Sequence, residues 1–289
     1  MEFLQNDLIK VGINEHGAEL RSLARLSDGR EYMWSGDAAY WGRVSPVLFP
    51  FVGMLADKTY RYKGKEYTGV PQHGYARDRD FTLVDKSEDT IWFELVADTE
   101  WKERYPFDFC LRIGYRLEGA AVHVMWSVRN DSKEVMPFHI GAHPAFRTKD
   151  FESKVGYTID LHVNEDALLT DLIGDGGVVT GEKVPVTLSN GKLVITEALF
   201  DGDALIFTDK VNTATLIDAQ GNPFIEMRFD TPQLGIWSPV GKKAPFICIE
   251  PWYGRCDKAG FSGDLADREF TNLVEAGHTW NREYVIEVK

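Results

Sequence analysis

The 289 residues hold only three cysteines, Cys110, Cys248 and Cys256, an odd number at wide spacing. No disulfide framework can be built on them, and a reducing, cytoplasmic compartment is the one such usage implies. No stretch approaches the roughly 20 consecutive apolar residues that cross a bilayer. The opening residues, Met1-Glu2-Phe3-Leu4-Gln5-Asn6-Asp7, carry neither a basic cluster nor an apolar run, so no secretory signal is expected there. Positive charge is in deficit: 32 Lys and Arg stand against 45 Asp and Glu, a formal net charge of -13. Such a chain repels phosphate backbones and anionic lipid, which disfavours nucleic-acid and membrane-surface partners. The acidic residues are spread along the chain, so the excess reads as solubility rather than as a tail. Helical periodicity is nearly missing, and with it the long crossover helices that a parallel α/β architecture needs. The one helical candidate is Asp98–Tyr105, with Asp98 or Thr99 as N-cap and Pro106 beyond its end.

What is present has a period of two. Val122, Val124, Trp126 and Val128 alternate with His123, Met125, Ser127 and Arg129, and Leu111, Ile113, Tyr115 and Leu117 alternate in the same way before them. Each run sets one apolar face against a core. Glu118-Gly119 between them predicts a tight turn, hence a hairpin over 111–129. Tyr157, Ile159, Leu161 and Val163 share a face. Short apolar runs follow at Leu193–Thr196, Ala204–Thr208 and Thr213–Asp218, and Gln220-Gly221-Asn222 turns the chain into Pro223–Asp230. Leu234–Val240, Phe246–Glu250 and Glu283–Val288 complete the set. Many short strands punctuated by turns predict a mostly β sandwich or barrel. With no linker and no repeat of fixed period, one domain over 1–289 is the simplest organisation.

Several familiar motifs fail on inspection. Gly174, Gly176 and Gly177 do not continue into a dinucleotide fingerprint, because Val179 stands where the third glycine belongs; the segment reads as a flexible loop. Gly260-Phe261-Ser262-Gly263 is one residue short of a nucleophile elbow. His139 and His143 have helical zinc spacing, but Gly141 between them and Pro144 after them exclude the helix. Cys248 and Cys256 have no second close Cys or His pair. No metal or cofactor is therefore expected.

Three polar clusters remain, each beside aromatics and Gly or Pro, where the backbone is constrained: Gln72-His73-Gly74-Tyr75-Ala76-Arg77, His139-Ile140-Gly141-Ala142-His143-Pro144-Ala145-Phe146, and Ile249-Glu250-Pro251-Trp252-Tyr253-Gly254. Glu250 closes the run Phe246-Ile247-Cys248-Ile249, which is too apolar to be exposed on either face. A carboxylate placed there is desolvated or partnered, and desolvation raises its pKa towards that of a useful base. His143 is held extended by Pro144. His16, His123, His162 and His278 sit in turns or mid-strand and read as structural. Most of the eight tryptophans read as core. Trp252, beside Glu250, suits the C–H face of a sugar.

Together these clusters resemble the aldose 1-epimerase (galactose mutarotase-like) superfamily, and within it the LacX-type bacterial branch. The likeness runs from Gly17-Ala18-Glu19-Leu20-Arg21-Ser22-Leu23 and Tyr32-Met33-Trp34 through Trp41-Gly42-Arg43-Val44-Ser45-Pro46-Val47-Leu48-Phe49-Pro50 and the His73 and His143 clusters. It ends with Leu199-Phe200-Asp201-Gly202-Asp203-Ala204-Leu205-Ile206-Phe207 and Glu250-Pro251-Trp252-Tyr253-Gly254. It implies a β-supersandwich of two large antiparallel sheets with a sugar on a concave face. It also implies Glu250 as general base, His143 as general acid and His73 as a second histidine near the ring oxygen. Arg43 and Asp203 match the family's substrate-binding pair, with Asp201 as the alternative aspartate, and Trp252 lines the pocket. The Pro144-Ala145-Phe146 that follows His143 departs from the galactose mutarotases proper, so galactose itself is not implied.

The expected reaction is interconversion of α and β anomers, in which one group takes the anomeric proton while another protonates the ring oxygen. Ordinary pKa values near neutrality would suffice, and a gap of roughly 5–7 Å between Glu250 and His143 would admit the ring. Two other readings stay open. One is the same chemistry on a hexose 6-phosphate, with Arg77 and Arg79 as a phosphate clamp unless Asp78 and Asp80 pair with them. The other is a sugar-binding sandwich without catalysis.

Overall fold

The protein is described by a computed structural model covering residues 1–208 and 210–289. It is mostly β, and every strand pairing among the described residues is antiparallel. The hairpin predicted at 111–129 forms from Phe109–Glu118 and Ala121–Asn130, with Glu118 opposite Ala121 across the tight turn. Its alternation does what the pattern requires: Leu111, Ile113, Val122, Val124, Trp126 and Val128 are all buried.

This hairpin lies within a nine-stranded sheet. In spatial order the strands are Lys192–Val194, Thr158–Asp160, Thr213–Ile217, Pro223–Phe229, Thr279–Val288, Ala121–Asn130, Phe109–Glu118, Thr90–Val96 and Thr82–Lys86. A second sheet of six strands carries Leu205–Thr208, Gln233–Trp237, Phe246–Tyr253, Ile140–Ala142 and Val47–Leu48 in that order, and Ala145–Arg147 also pairs with Phe246–Tyr253. A three-stranded meander from Glu2 to Arg25 begins the chain. The short helix is Thr99–Arg104, capped by Asp98, whose side chain accepts from the Trp101 N–H at 2.8 Å. Among the described residues no helix is long and apolar enough to cross a membrane.

The smaller sheet has two buried faces, and this positions the site. Along Phe246–Tyr253 every residue is buried. Ile247, Ile249 and Tyr253 join Leu234, Ile236 and Phe207 in the main core, where Tyr253 meets Trp126 of the larger sheet edge-on at 6.3 Å. By the period of two, Cys248, Glu250 and Trp252 leave the opposite face. The expectation that Glu250 ends its strand is corrected here: the strand continues through Pro251 to Tyr253. The neighbouring chain explains how a proline is tolerated inside the sheet. Ile140–Ala142 pairs with Trp252 and Tyr253, Ala145–Arg147 pairs with Phe246 to Cys248, and the interruption between them is His143-Pro144. Opposite Glu250 and Pro251 the ladder is open, so Pro251 leaves no ladder partner on that side unpaired. The same break delivers His143 to Glu250.

Candidate active site

A cavity of about 240 Å³ opens on that second face, lined by Glu250, His143, His73, Arg77, Asp203 and Trp252, with Trp41, Trp237, Gln72 and Cys256 among its other walls. These residues come from segments as far apart as 41 and 256, which no local pattern joins. The volume is below the ~300–1,000 Å³ of sites for drug-sized ligands, on the scale of a single sugar ring.

His143 Nε2 and Glu250 Oε2 are 3.3 Å apart, both groups almost fully buried. The expected 5–7 Å gap is therefore not observed, and the reason is chemical. The two oxygens to be served, the anomeric hydroxyl and the ring oxygen, are bonded to one carbon and lie closer together than a hydrogen-bond length. An acid and a base can address both from one side without flanking the ring. The contact does not satisfy hydrogen-bond geometry: both Glu250 oxygens and His143 Nδ1 are buried with no partner. Buried polar groups are nearly always paired, so these atoms have hydrogen-bonding capacity to offer a ligand in the cavity.

Burial also sets the charge state. It pushes the Glu250 carboxyl well above the usual carboxylate range, with the Asp203 carboxylate adding to the effect and the nearby Trp252 indole opposing it weakly. It pushes His143 down to about 3, helped by the Arg77 cation. The expectation of ordinary pKa values is thus corrected: the pair is driven towards its uncharged form, a carboxylic acid beside a neutral imidazole, carrying one proton between them.

His73 is fixed by a doubly bonded turn. Its backbone N–H donates to Gly53 O at 2.9 Å and its ring Nδ1 accepts from Gly53 N–H at 3.0 Å. The acceptor role leaves the proton of the neutral ring on Nε2. Burial, then His143, Arg77 and Arg43, hold this imidazole uncharged. The turn needs φ of +66° at His73 and +73° at Gly74, where an added Cβ would sit 2.3 Å from Phe49 O. Only glycine fits that position.

Trp252 lies flat across three strands. A Cβ on Gly141 would fall 2.6 Å from one end of its indole, and one on Gly235 would fall 2.6 Å from the other. Two glycines on the flanking strands thus form the bed of the ring, and its N–H is left without a partner. Because the ring is blocked on both sides, Gly235→Ala is expected to overpack the site. Urea unfolding should show a loss of about 1–3 kcal/mol. An unchanged midpoint would mean that the ring is free to move.

The arginines separate. Arg77 lines the cavity; its Nη2 donates to Gln72 O at 2.6 Å, and burial lowers its pKa to about 10. Arg79 instead pairs with Asp98 and Glu100 at 2.6 and 2.9 Å in a different groove. Asp80 is taken by His16. Arg77 and Arg79 therefore do not face one site. Arg43 is not among the lining residues; it pairs with Asp78 at 2.7 Å. Of the two aspartates, Asp203 enters the cavity, held at φ +78°, while Asp201 lines an adjoining groove. The glycine-rich segment 174–177 is the turn of the hairpin Ala167–Ile173/Val179–Thr187, and its Gly177 reaches the cavity wall.

Residues read as core prove to be walls. Trp41 stacks on His143 at 4.6 Å, Trp237 meets it edge-on at 5.5 Å, and His73 does so at 5.7 Å. Trp41 lies two residues before Arg43 within a quoted motif, which was the available signal. The four histidines read as structural lie outside the cavity lining, each with a near neighbour: His16 on Asp80, His123 on Glu283, His162 on Thr215 and His278 on Ala276 O.

The profile of the family described as aldose 1-epimerase matches residues 3–287. The chain belongs to that family. Two proteins named LacX from Lactococcus lactis, plasmid and chromosomal, are each 28% identical over 295 residues, covering 99% of this chain and 98% of theirs. A solved galactose mutarotase-like protein from Lactobacillus casei is 34% identical, with a TM-score of 0.93 and all of both chains covered. A galactose mutarotase related enzyme from Lactobacillus acidophilus is 32% identical, with a TM-score of 0.92 over 100% of this chain and 97% of its own. The architecture of large antiparallel sheets is thus the galactose mutarotase-like fold, and the family's LacX-type members are among the relatives of this chain.

Proposed function

We propose that the protein is an isomerase, an aldose 1-epimerase acting on a single sugar ring, with 1–289 working as one domain in the cytoplasm. The observation that carries this reading is the convergence of unpaired, buried acid–base groups, Glu250 and His143, in one monosaccharide-sized cavity. A sugar-binding sandwich has no need of such a pair.

The pair holds one proton, and anomer exchange needs one group with a proton and one without. Glu250 takes the anomeric proton as His143 supplies the ring oxygen, and ring closure reverses the transfer. The resting carboxylic acid–imidazole state and its ion-paired tautomer have the same proton count, and at 3.3 Å a small rotation of either side chain aligns the pair for transfer between them. His73, a fixed Nε2–H donor, serves the ring oxygen. Arg77 and Asp203 hold hydroxyls so that the relay is aligned, and Trp252 covers the C–H face. Arg43 acts on the sugar indirectly, through Asp78 and its field on His73 and Arg77.

Polarimetry of freshly dissolved aldoses tests the proposal; rates equal to buffer on every sugar would overturn it. Unphosphorylated hexoses are expected to exceed their 6-phosphates in kcat/KM. Asp203 stands in the cavity, the net charge is -13, and only one of the two candidate clamp arginines is there. A preference for the phosphorylated sugar that Arg77→Ala abolishes would reverse that assignment.

A further inference from the structure

Anomer exchange requires no thiol, yet one stands directly beside the pair. Cys248 precedes Glu250 by two residues on one strand, so both side chains leave the same sheet face, and His143 meets them from the break opposite. The imidazole nitrogen, thiol sulfur and carboxyl oxygen all lie within 4.8 Å of one another, and all three residues are buried. Among the described residues this is the one such cluster of three.

The donor set is that of a borderline-soft cation: one nitrogen, one sulfur and one oxygen, as in three-ligand zinc sites with an open fourth position. Magnesium and calcium prefer oxygen alone. Zinc bonds of ~2.0–2.3 Å place tetrahedral ligands about 3.3–3.8 Å apart. The His143–Glu250 separation of 3.3 Å already matches one edge. With no ligand pair beyond 4.8 Å and a sulfur-to-nitrogen or sulfur-to-oxygen edge of about 3.6 Å, the sulfur needs to move by about 1.2 Å at most. Charge also balances. A dication held by a thiolate, a carboxylate and a neutral imidazole buries no net charge, which removes the main cost of placing an ion there. The unpaired Glu250 oxygens, almost wholly buried, supply the lone pairs.

We propose that His143, Cys248 and Glu250 form a binding site for a zinc-like divalent cation, and that its occupancy blocks the acid–base pair. On binding, the thiol and carboxyl protons leave to solvent, three coordinate bonds form, and no electron is transferred. The fourth position faces the cavity and takes water or a sugar hydroxyl. The cation is an inhibitor of this protein, not its cofactor. The inhibition rests on the mutarotase reading above; the binding does not.

Cobalt(II) titration of the chelator-stripped protein tests binding without reference to activity. The expected result is a thiolate-to-cobalt charge-transfer band at one equivalent, displaced by zinc but not by magnesium. It should be kept in Cys256→Ala and lost in Cys248→Ala, or in Cys248→Ser should the alanine variant not fold. No band, or a band that survives in the Cys248 variants, overturns the site. In polarimetry, zinc should arrest the wild type, chelator should preserve or raise its rate, and Cys248→Ala should need at least on the order of 10-fold more zinc, a loss that even an outer-shell partner causes. A cobalt band without zinc inhibition overturns the inhibitory role. A cobalt band in a protein that turns over no sugar overturns the mutarotase reading and leaves the site intact.

Discussion

Glu250→Gln is expected to slow anomer exchange by ~10²–10⁴-fold, the usual contribution of a positioned general acid–base group, while making the folded protein more stable above neutral pH. The two effects share one cause. The folded protein holds the Glu250 carboxyl protonated well above its ordinary 4.5, because burial and Asp203 oppose the charge. As pH rises past 4.5, the unfolded chain releases this proton and the folded chain does not. Stability therefore falls with rising pH until the folded pKa is passed, by up to about 1.4 kcal/mol per unit. Glutamine has nothing to ionise and keeps the shape. Its midpoint in thermal or urea unfolding should match the wild type near pH 4 and exceed it at pH 8. His73, His139 and His143 act in the opposite direction. Each is depressed below 6.5, so each erodes stability as pH falls below that value, and this acid limb should be common to both proteins. Near wild-type rates in the Glu250→Gln variant would remove Glu250 from the chemistry. A variant slowed but no more stable at pH 8 would mean that the carboxyl is ionised in the folded protein.

Much of the architecture was legible because alternation is a local property. The hairpin Phe109–Glu118/Ala121–Asn130 follows from eight apolar residues at a period of two and one glycine turn. The Asp98-capped helix follows from its cap and the proline after it. Among the strands that were not expected, which include Ile9–Asn14 and Thr90–Val96, Thr82–Lys86 and Ala167–Ile173/Val179–Thr187 carry the weakest local signal. Thr82–Lys86 is exposed throughout and has no apolar face to alternate, and the long hairpin buries little beyond Leu168, Thr170, Asp171 and Val179. Their register comes from neighbouring strands, not from their own composition.

The site was legible as a set of residues and illegible as geometry. Glu250, His143 and His73 stood out because ionisable groups sat among apolar and turn residues. That Pro144 and Pro251 open the same place in the ladder is a pairing fact between segments 107 positions apart, which neither segment records alone. The same holds for Arg79, which local charge assigned to Asp80 and the fold assigns to Asp98 and Glu100. Trp41 read as core and Cys248 as part of an apolar strand; the first is only partly buried and the second fully so, and what sequence could not show is that each lies against His143 or its neighbour Glu250.

His143→Asn should slow anomer exchange by a factor like that of Glu250→Gln, and the double variant should be little slower than the worse single. The reason lies in the 3.3 Å contact and the single shared proton. If the groups acted independently, one on each side of the sugar, their losses would multiply, and the double variant would fall by roughly 10⁴–10⁸-fold. Acting as one relay, they fail together: once the anomeric proton has no acceptor, a proton donor at the ring oxygen has little left to accelerate, and the converse holds as well. Grossly non-additive losses are the signature of catalytic groups that work as a unit. Asparagine keeps a polar, neutral side chain under the Trp41 ring, so folding is expected to survive and circular dichroism should confirm it. The measurement is a four-protein cycle in polarimetry at one pH. A coupling energy near zero would mean that Glu250 and His143 serve separate steps, and the adjacency across the broken strand would then need another explanation.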